Sequence, residues 1–224
     1  GLGGSDFVLL AGPVEKIREI LPRVMARAKK GALITDVGST KYELVKQAES
    51  LGGRGHFVGS HPMVGGHLTG WRNGTPDLFV GGTIYITPTE ATNREAAGRA
   101  AAFWEALGGN LVFTDPRRHD QLAALLSHVP HMSAVALMEL LMDSQEDPHF
   151  MKRLAGNGLR DTTRVAMGSS QMWKEIAEQN GEIIARRLEQ LAGNLESFAA
   201  MIREKRFAEL EERLVEAAEM RRKL

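Results

Sequence analysis

His56-Phe57-Val58-Gly59-Ser60-His61-Pro62-Met63-Val64-Gly65-Gly66-His67 is the stretch on which the reading of this chain turns. Its first three residues are a short apolar run that predicts a buried strand. A strand ending in Gly-Ser-His-Pro delivers an imidazole to the lip of a sheet, where open parallel α/β sheets bind their ligands. Pro62 stiffens the backbone just past the histidine. Gly65 and Gly66 let the chain turn sharply and approach a ligand closely. A lone His-Pro serves a surface loop as readily as a site, so the flanking segments decide.

Upstream, Asp6-Phe7-Val8-Leu9-Leu10-Ala11 lies between Ser5 and Gly12-Pro13 and predicts a strand buried on both faces. Val14, Ile17, Ile20, Leu21, Val24 and Met25 recur at helical spacing, with a break expected at Pro22 and an end at Gly31. Ala32-Leu33-Ile34-Thr35-Asp36 is a second strand, Val37 to Lys41 the turn after it, and residues from about 40 to 51 a helix. This β-α-β-α-β rhythm implies parallel strands with right-handed crossovers. Downstream, residues 82–88 and 110–114 read as strands around an Ala-rich helix over 93–107. Asp115-Pro116 marks a boundary. Beyond it β-branched runs vanish, and helices are expected at about 117–142, 146–154, 158–166, 170–204 and 206–222. The last carries an apolar stripe of Phe207, Leu210, Leu214 and Met220 that needs something to cover it. The predicted architecture is α/β: a partial Rossmann-like parallel sheet over 1–115, then an all-α part over 116–224.

Composition narrows the function. Among 224 residues, 28 basic side chains balance 28 acidic ones, so no basic surplus points to nucleic acid or an anionic membrane as partner. There is no cysteine, which excludes disulfides, thiolate metal sites and a cysteine nucleophile and fits a reducing cytoplasm. No apolar run approaches the roughly 20 residues that span a bilayer, and the first ten residues lack the basic start and cleavage-like site of a signal peptide. A dinucleotide fold carries its Gly-rich phosphate loop after its first strand. Gly1-Leu2-Gly3-Gly4 has that composition, but no strand precedes it and no helix follows. The pattern therefore predicts that the first βαβ portion is missing and that the strand at Asp6 would sit beside it.

Three further constellations stand out. In Asp36-Val37-Gly38-Ser39-Thr40-Lys41, backbone amides and the Ser39 hydroxyl could hold polar groups of a ligand; taken alone, Ser39 or Thr40 is more readily a helix N-cap. Ala11-Gly12-Pro13 occupies the equivalent lip of the preceding strand. Ser127-His128-Val129-Pro130-His131 puts two imidazoles on one side of a helix that Pro130 should kink. It offers no acidic third ligand at a metal-site spacing, so a substrate-facing or helix-packing role is expected and no metal. His119 and His149 are expected on the surface. Gly156 to Arg164 joins flexible turns to two guanidinium groups, suited to a bidentate carboxylate clamp or to a surface Arg164 paired with Asp161. Trp173, by residue type alone, is a core residue.

In order along the chain, Asp-Val-Gly-Ser-Thr-Lys (36–41), Gly-Ser-His-Pro-Met-Val-Gly-Gly (59–66), Leu-Ser-His-Val-Pro-His (126–131) and Gly-Leu-Arg-Asp-Thr-Thr-Arg (158–164) with Trp173 resemble the prephenate/arogenate dehydrogenase family of tyrosine biosynthesis, from Asp6 to about Asn180. The resemblance implies NAD(P)-dependent oxidative decarboxylation of prephenate or arogenate by a cytoplasmic homodimer joined through its C-terminal helices. It makes His61 the catalytic histidine, with Ser39 between it, the substrate hydroxyl and the nicotinamide. Arg164, His131, Gly65 and Gly66 would meet the substrate. Ala11, Gly12, Pro13, Asp36 and Ser39 would meet NAD or NADP. Many relatives read Gly-Thr-Glu after His-Pro-x-Ala, where this chain has Gly65-Gly66-His67, so a carboxylate is missing there. A β-hydroxyacid-type dehydrogenase shares the two-part plan but needs a catalytic Lys followed by Asn at helical spacing; Lys174 and Asn180, six apart, fit it poorly. A non-catalytic dimerisation or binding fragment is the alternative outside enzymes.

Overall fold

The structure, a computed structural model, describes residues 1–64, 72 and 74–224, so Gly65, Gly66 and His67 lie outside the described residues. The chain divides into two compact units, Gly1–Gly181 and Glu182–Leu224.

The first unit contains a five-stranded sheet in sequential order, β1 (Phe7–Leu10), β2 (Leu33–Asp36), β3 (His56–Pro62), β4 (Thr83–Thr87) and β5 (Asn110–Phe113). Strands β1, β2 and β3 are parallel, as the βαβ rhythm predicts. The sheet is nonetheless mixed. β4 runs antiparallel to β3, and β5 follows β4. The change of direction lengthens β3 beyond its apolar run. His56, Phe57 and Val58 pair with Leu33, Ile34 and Thr35, whereas Gly59, Ser60, His61 and Pro62 pair with Thr87, Ile86, Tyr85 and Ile84. His61 is therefore not a loop residue past a strand end but a strand residue whose backbone is tied to β4.

Alternation along the strands divides the core between two faces. Leu33, Val58, Ile84 and Ile86 pack with Ala96, Ala100 and Trp104 of α3 (Arg94–Ala106). Leu10 and Ile34 pack with Ile17, Leu21 and Val24 of α1 (Val14–Arg27) and with Leu44 and Ala48 of α2 (Tyr42–Leu51). The break expected at Pro22 does not occur, and α1 runs through it. Proline removes the N–H that would bond the carbonyl four residues back. That carbonyl, Arg18 O, instead accepts from Gln47 Nε2 of α2 at 3.0 Å.

Asp115 caps α4 (Pro116–Ala123) by accepting from Arg118 N, and Pro116 occupies its first turn, where a missing N–H costs nothing. A π-helical turn, Ala124–His128, then leads into α5 (Val129–Asp143). The kink expected at Pro130 is this turn: the N–H of Val129 reaches back to Ala124 O. Contrary to the reading of the sequence, Pro116–Asp143 is long and apolar enough by length and composition to cross a membrane, with 22 % of its most apolar window buried. Ionisable His119 and Asp120 are buried at its start, and the exposed apolar side chains Leu125, Leu126, Leu137, Leu140 and Met142 follow along it. The helices α6 (Pro148–Leu154) and α7 (Asn157–Thr163), a 3₁₀ turn at Arg164–Met167 and α8 (Ser170–Arg203) come next. α8 is bent at Asn180, whose φ of −120° and ψ of 18° leave the helical region.

The second unit holds the rest of α8 and α9 (Phe207–Arg222), joined by a turn in which Lys205 takes a φ of 57°. Arg213 holds the pair together, donating to Ser197 Oγ at 2.9 Å with its guanidinium 4.4 Å from the Phe198 ring centre. Phe207, Leu214 and Met220 remain exposed.

Candidate active site

The site begins at the end of β2. Asp36 is completely buried, and its carboxylate accepts from Gly38 N at 2.8 Å, from Ser60 N at 3.0 Å and from the ammonium of Lys41. Lys41 is also fully buried; loss of water pulls its pKa below the ordinary lysine range, and Asp36 opposes that shift. Gly38 is what lets the turn close, because a Cβ there would lie 2.9 Å from Asp36 Oδ2 and 3.3 Å from Lys41 Nζ. Asp36, expected to meet the cofactor, has its carboxylate engaged inside the protein, on the turn and on β3.

Ser60 fixes the neighbouring strand on the α3 side. Its hydroxyl bonds Asp36 O and receives the Trp104 indole N–H at 3.0 Å. Period-two alternation then sends the next side chain, His61, to the opposite side. His61 is buried, and its Nδ1 lies 2.9 Å from His119 Nε2. His119 Nδ1 lies 2.8 Å from Asp120 Oδ1. The edge of the His119 ring meets Tyr85, centroids 5.0 Å apart. His119 is thus no surface residue but a fully buried one. Burial, aided by the neighbouring His119, Lys41 and His128, holds the His61 pKa well below the usual histidine value, so His61 is neutral at pH 7.

Asp120 has a second task. Oδ1 accepts from Lys41 N at 2.8 Å and Oδ2 from Tyr42 N at 2.9 Å, so a carboxylate from α4 caps α2 and meets its helix dipole. Neither Ser39 nor Thr40 is the cap. Thr40 donates to Gln179 Oε1 at 2.6 Å, and half-buried Ser39 makes no side-chain hydrogen bond among the described residues.

A second group surrounds Trp173. His131 stacks on its ring, centroids 3.6 Å apart and planes 8° from parallel, while His128 meets it edge-on at 5.8 Å. His131 Nδ1 donates to Val165 O at 2.9 Å, which ties this imidazole to the residue after Arg164. Gly168 makes room, because a Cβ there would lie 2.4 Å from Trp173 Nε1 and 3.3 Å from His131 Cε1. Trp173 is therefore a platform rather than a core residue. Arg164 is exposed and is not paired with Asp161; its side chain forms no hydrogen bond or ion pair among the described residues. Buried Asn180 links the two groups. Its amide donates to Asp120 O at 2.9 Å and lies 3.3 Å from His128 Nδ1. With Asn180 so engaged and Lys174 exposed beside Glu178, the pair that a β-hydroxyacid dehydrogenase would need is absent from this site.

Ala11, Gly12 and Pro13 are exposed between β1 and α1, and a Cβ built on Gly12 meets nothing within 4 Å. The open space at Gly12, past the end of β1, leaves room for one end of an extended nucleotide. Reading the sequence missed His119, Asp120 and Asn180. One signal was present: Pro116, His119, Asp120 and Ala123 fall at i, i+3, i+4 and i+7 of one helix face, all of them buried.

Comparison with known proteins places the chain in a family. Residues 2–113 match the family model described as prephenate dehydrogenase, nucleotide-binding domain, and residues 115–216 match prephenate dehydrogenase, dimerization domain. The chain is 32 % identical over 205 residues to a prephenate dehydrogenase of Lactococcus lactis, covering 90 % of this chain and 56 % of that protein. It spans about half the length of the curated relatives it matches. Among solved structures, prephenate dehydrogenase from Aquifex aeolicus in complex with hydroxyphenyl propionate and NAD+ superposes with a TM-score of 0.86 at 32 % identity, covering 96 % of this chain and 75 % of that one. Synechocystis arogenate dehydrogenase gives 0.84 at 28 % identity, covering 99 % and 80 %. With both of its parts matched in order, the chain belongs to the prephenate dehydrogenase family.

Proposed function

We propose that the full-length protein carries out the NAD(P)-dependent oxidative decarboxylation of prephenate or arogenate, and that this chain supplies the proton acceptor and the carboxylate clamp. The observation that carries this reading is His61, an imidazole held neutral by burial on a strand bonded on both sides. It takes the proton of the ring hydroxyl as hydride leaves the same carbon. The bond to the ring carboxylate then breaks, carbon dioxide departs, and the ring becomes aromatic. When bound, the nicotinamide supplies the hydride acceptor; Ala11, Gly12, Pro13 and Ser39 are the residues that would hold it. Arg164, exposed and uncommitted, grips a substrate carboxylate with its planar fork. His131, anchored to the adjacent Val165 carbonyl, lines the same pocket.

The working division is a nucleotide-binding part over 1–115 and a substrate and dimerisation part over 116–224, with two copies joined through the C-terminal helices. The match to a dimerization domain and the exposed Leu125, Leu126, Leu140 and Met142 support the dimer. A cytoplasmic setting agrees with the absence of cysteine. The test is a steady-state assay of the full-length protein with prephenate and arogenate, each with NAD and NADP. Turnover of at least one pair is expected. No turnover of either substrate with either nucleotide would overturn the reading.

A further inference from the structure

We propose that His119 and Asp120 are positioning residues that select the tautomer of His61, leaving the lone pair on Nε2 to receive the substrate proton. The inference rests on the dehydrogenase reading for its consequence and on hydrogen-bond geometry for its substance.

The logic starts at Asp120. Both of its oxygens already accept backbone N–H groups, those of Lys41 and Tyr42, so Asp120 meets His119 as an acceptor. His119 Nδ1, 2.8 Å away, must then carry a proton. His119 is fully buried, and burial lowers its pKa more than Asp120 raises it, so the ring holds one proton only. Its Nε2 is consequently a bare acceptor. His61 Nδ1, 2.9 Å from that nitrogen, must be the donor, and a neutral His61 then bears its lone pair on Nε2. Two successive one-way hydrogen bonds thus transmit the orientation of a helix-capping carboxylate to the reacting nitrogen. Without them, an imidazole in water is a mixture of tautomers, and only one can act as base through Nε2. The backbone clamps on Asp120 also fix the chain in space, because they join it to the start of α2, two and three residues after Ser39.

Two substitutions separate this role from simple packing. His119→Gln keeps an acceptor oxygen near the place of Nε2, whereas His119→Leu fills similar volume with no acceptor. In the full-length protein, His119→Leu is expected to lower kcat about 100-fold with KM nearly unchanged, and His119→Gln to recover most of that loss. Asp120→Asn can present an N–H to His119, reverse both hydrogen bonds and protonate His61 at Nε2, with a loss at least as large. Long-range ¹H–¹⁵N correlation spectra of the wild-type protein read the tautomer directly. The expected pattern is His61 protonated at Nδ1 and bare at Nε2, reversed in Asp120→Asn. Wild-type spectra with the proton on His61 Nε2, or a His119→Leu protein as active as wild type, would overturn the inference. The spectra stand whether or not the protein turns over prephenate or arogenate, so failure of the functional reading and failure of this one are told apart.

Discussion

The two groups of histidines in this chain are held by different forces. His61 and His119 sit in a buried cluster of hydrogen bonds ending on Asp120, itself bonded to two backbone amides. His131 is held by stacking on Trp173 and by one bond to the Val165 carbonyl, beside an arginine exposed to solvent. Directional bonds in a low-dielectric interior fix which nitrogen carries a proton. Stacking fixes a plane and leaves the ring free to slide within it. The first arrangement suits proton transfer, and the second suits recognition of a substrate.

The sharpest test of this contrast is the division of kinetic effects. His61→Asn is expected to lower kcat by about 10²–10⁴-fold while nucleotide affinity, measured by fluorescence titration, stays nearly the same. Arg164→Ala is expected to raise KM roughly 10- to 100-fold, the worth of a charge-assisted bond, with a much smaller change in kcat. A kcat loss in Arg164→Ala as large as in His61→Asn would erase the distinction between the two groups.

Acid stability tests the buried character that both groups share. The pKa values of His61, His119 and His128 are all lowered, that of His128 to about 4, with burial the first cause in each. The unfolded chain therefore takes up protons near pH 6.5 that the folded chain refuses. Stability is full above pH 6.5 and falls as the pH drops from there toward 4. Thermal midpoints measured across that window should decline steadily. A midpoint flat between pH 7 and 4.5 would mean that these rings are already solvated. The smallest effect concerns α1. Gln47→Ala leaves the Arg18 carbonyl freed by Pro22 without its partner and should cost about 0.5–1.5 kcal/mol in chemical denaturation.

Much of this was legible in the sequence. Apolar runs bounded by Gly and Pro announced four of the five strands within a residue or two, β3 alone running four residues past its apolar run, and Asp115-Pro116 marked the change to helices, because these signals are local. The direction of β4 was not legible, since pairing depends on where the chain returns and not on what any one strand contains. His119 was misplaced because two arginines precede it, and a basic run reads as a solvated face. The i, i+3, i+4, i+7 spacing of Pro116, His119, Asp120 and Ala123 outweighs that run, and the fold turns His119 inward to His61 of β3. Pro22 and Pro130 were both read as interruptions. One is absorbed by the side chain of Gln47, which bonds a carbonyl 29 residues before it, and the other by a wider helical turn, and neither remedy is written beside the proline.

The mixed pairing of β3 has a consequence for how faithfully this molecule can be made. A one-residue slip in any strand sends every side chain to the other face of the sheet. Here the two halves of one short strand answer to neighbours of opposite polarity, so any slip breaks both ladders together. Such a slip would also exchange Ser60 and His61, setting a hydroxyl where a base is needed and an imidazole against the Trp104 indole. A chain mispaired at this point would therefore lose its packing and its chemistry together.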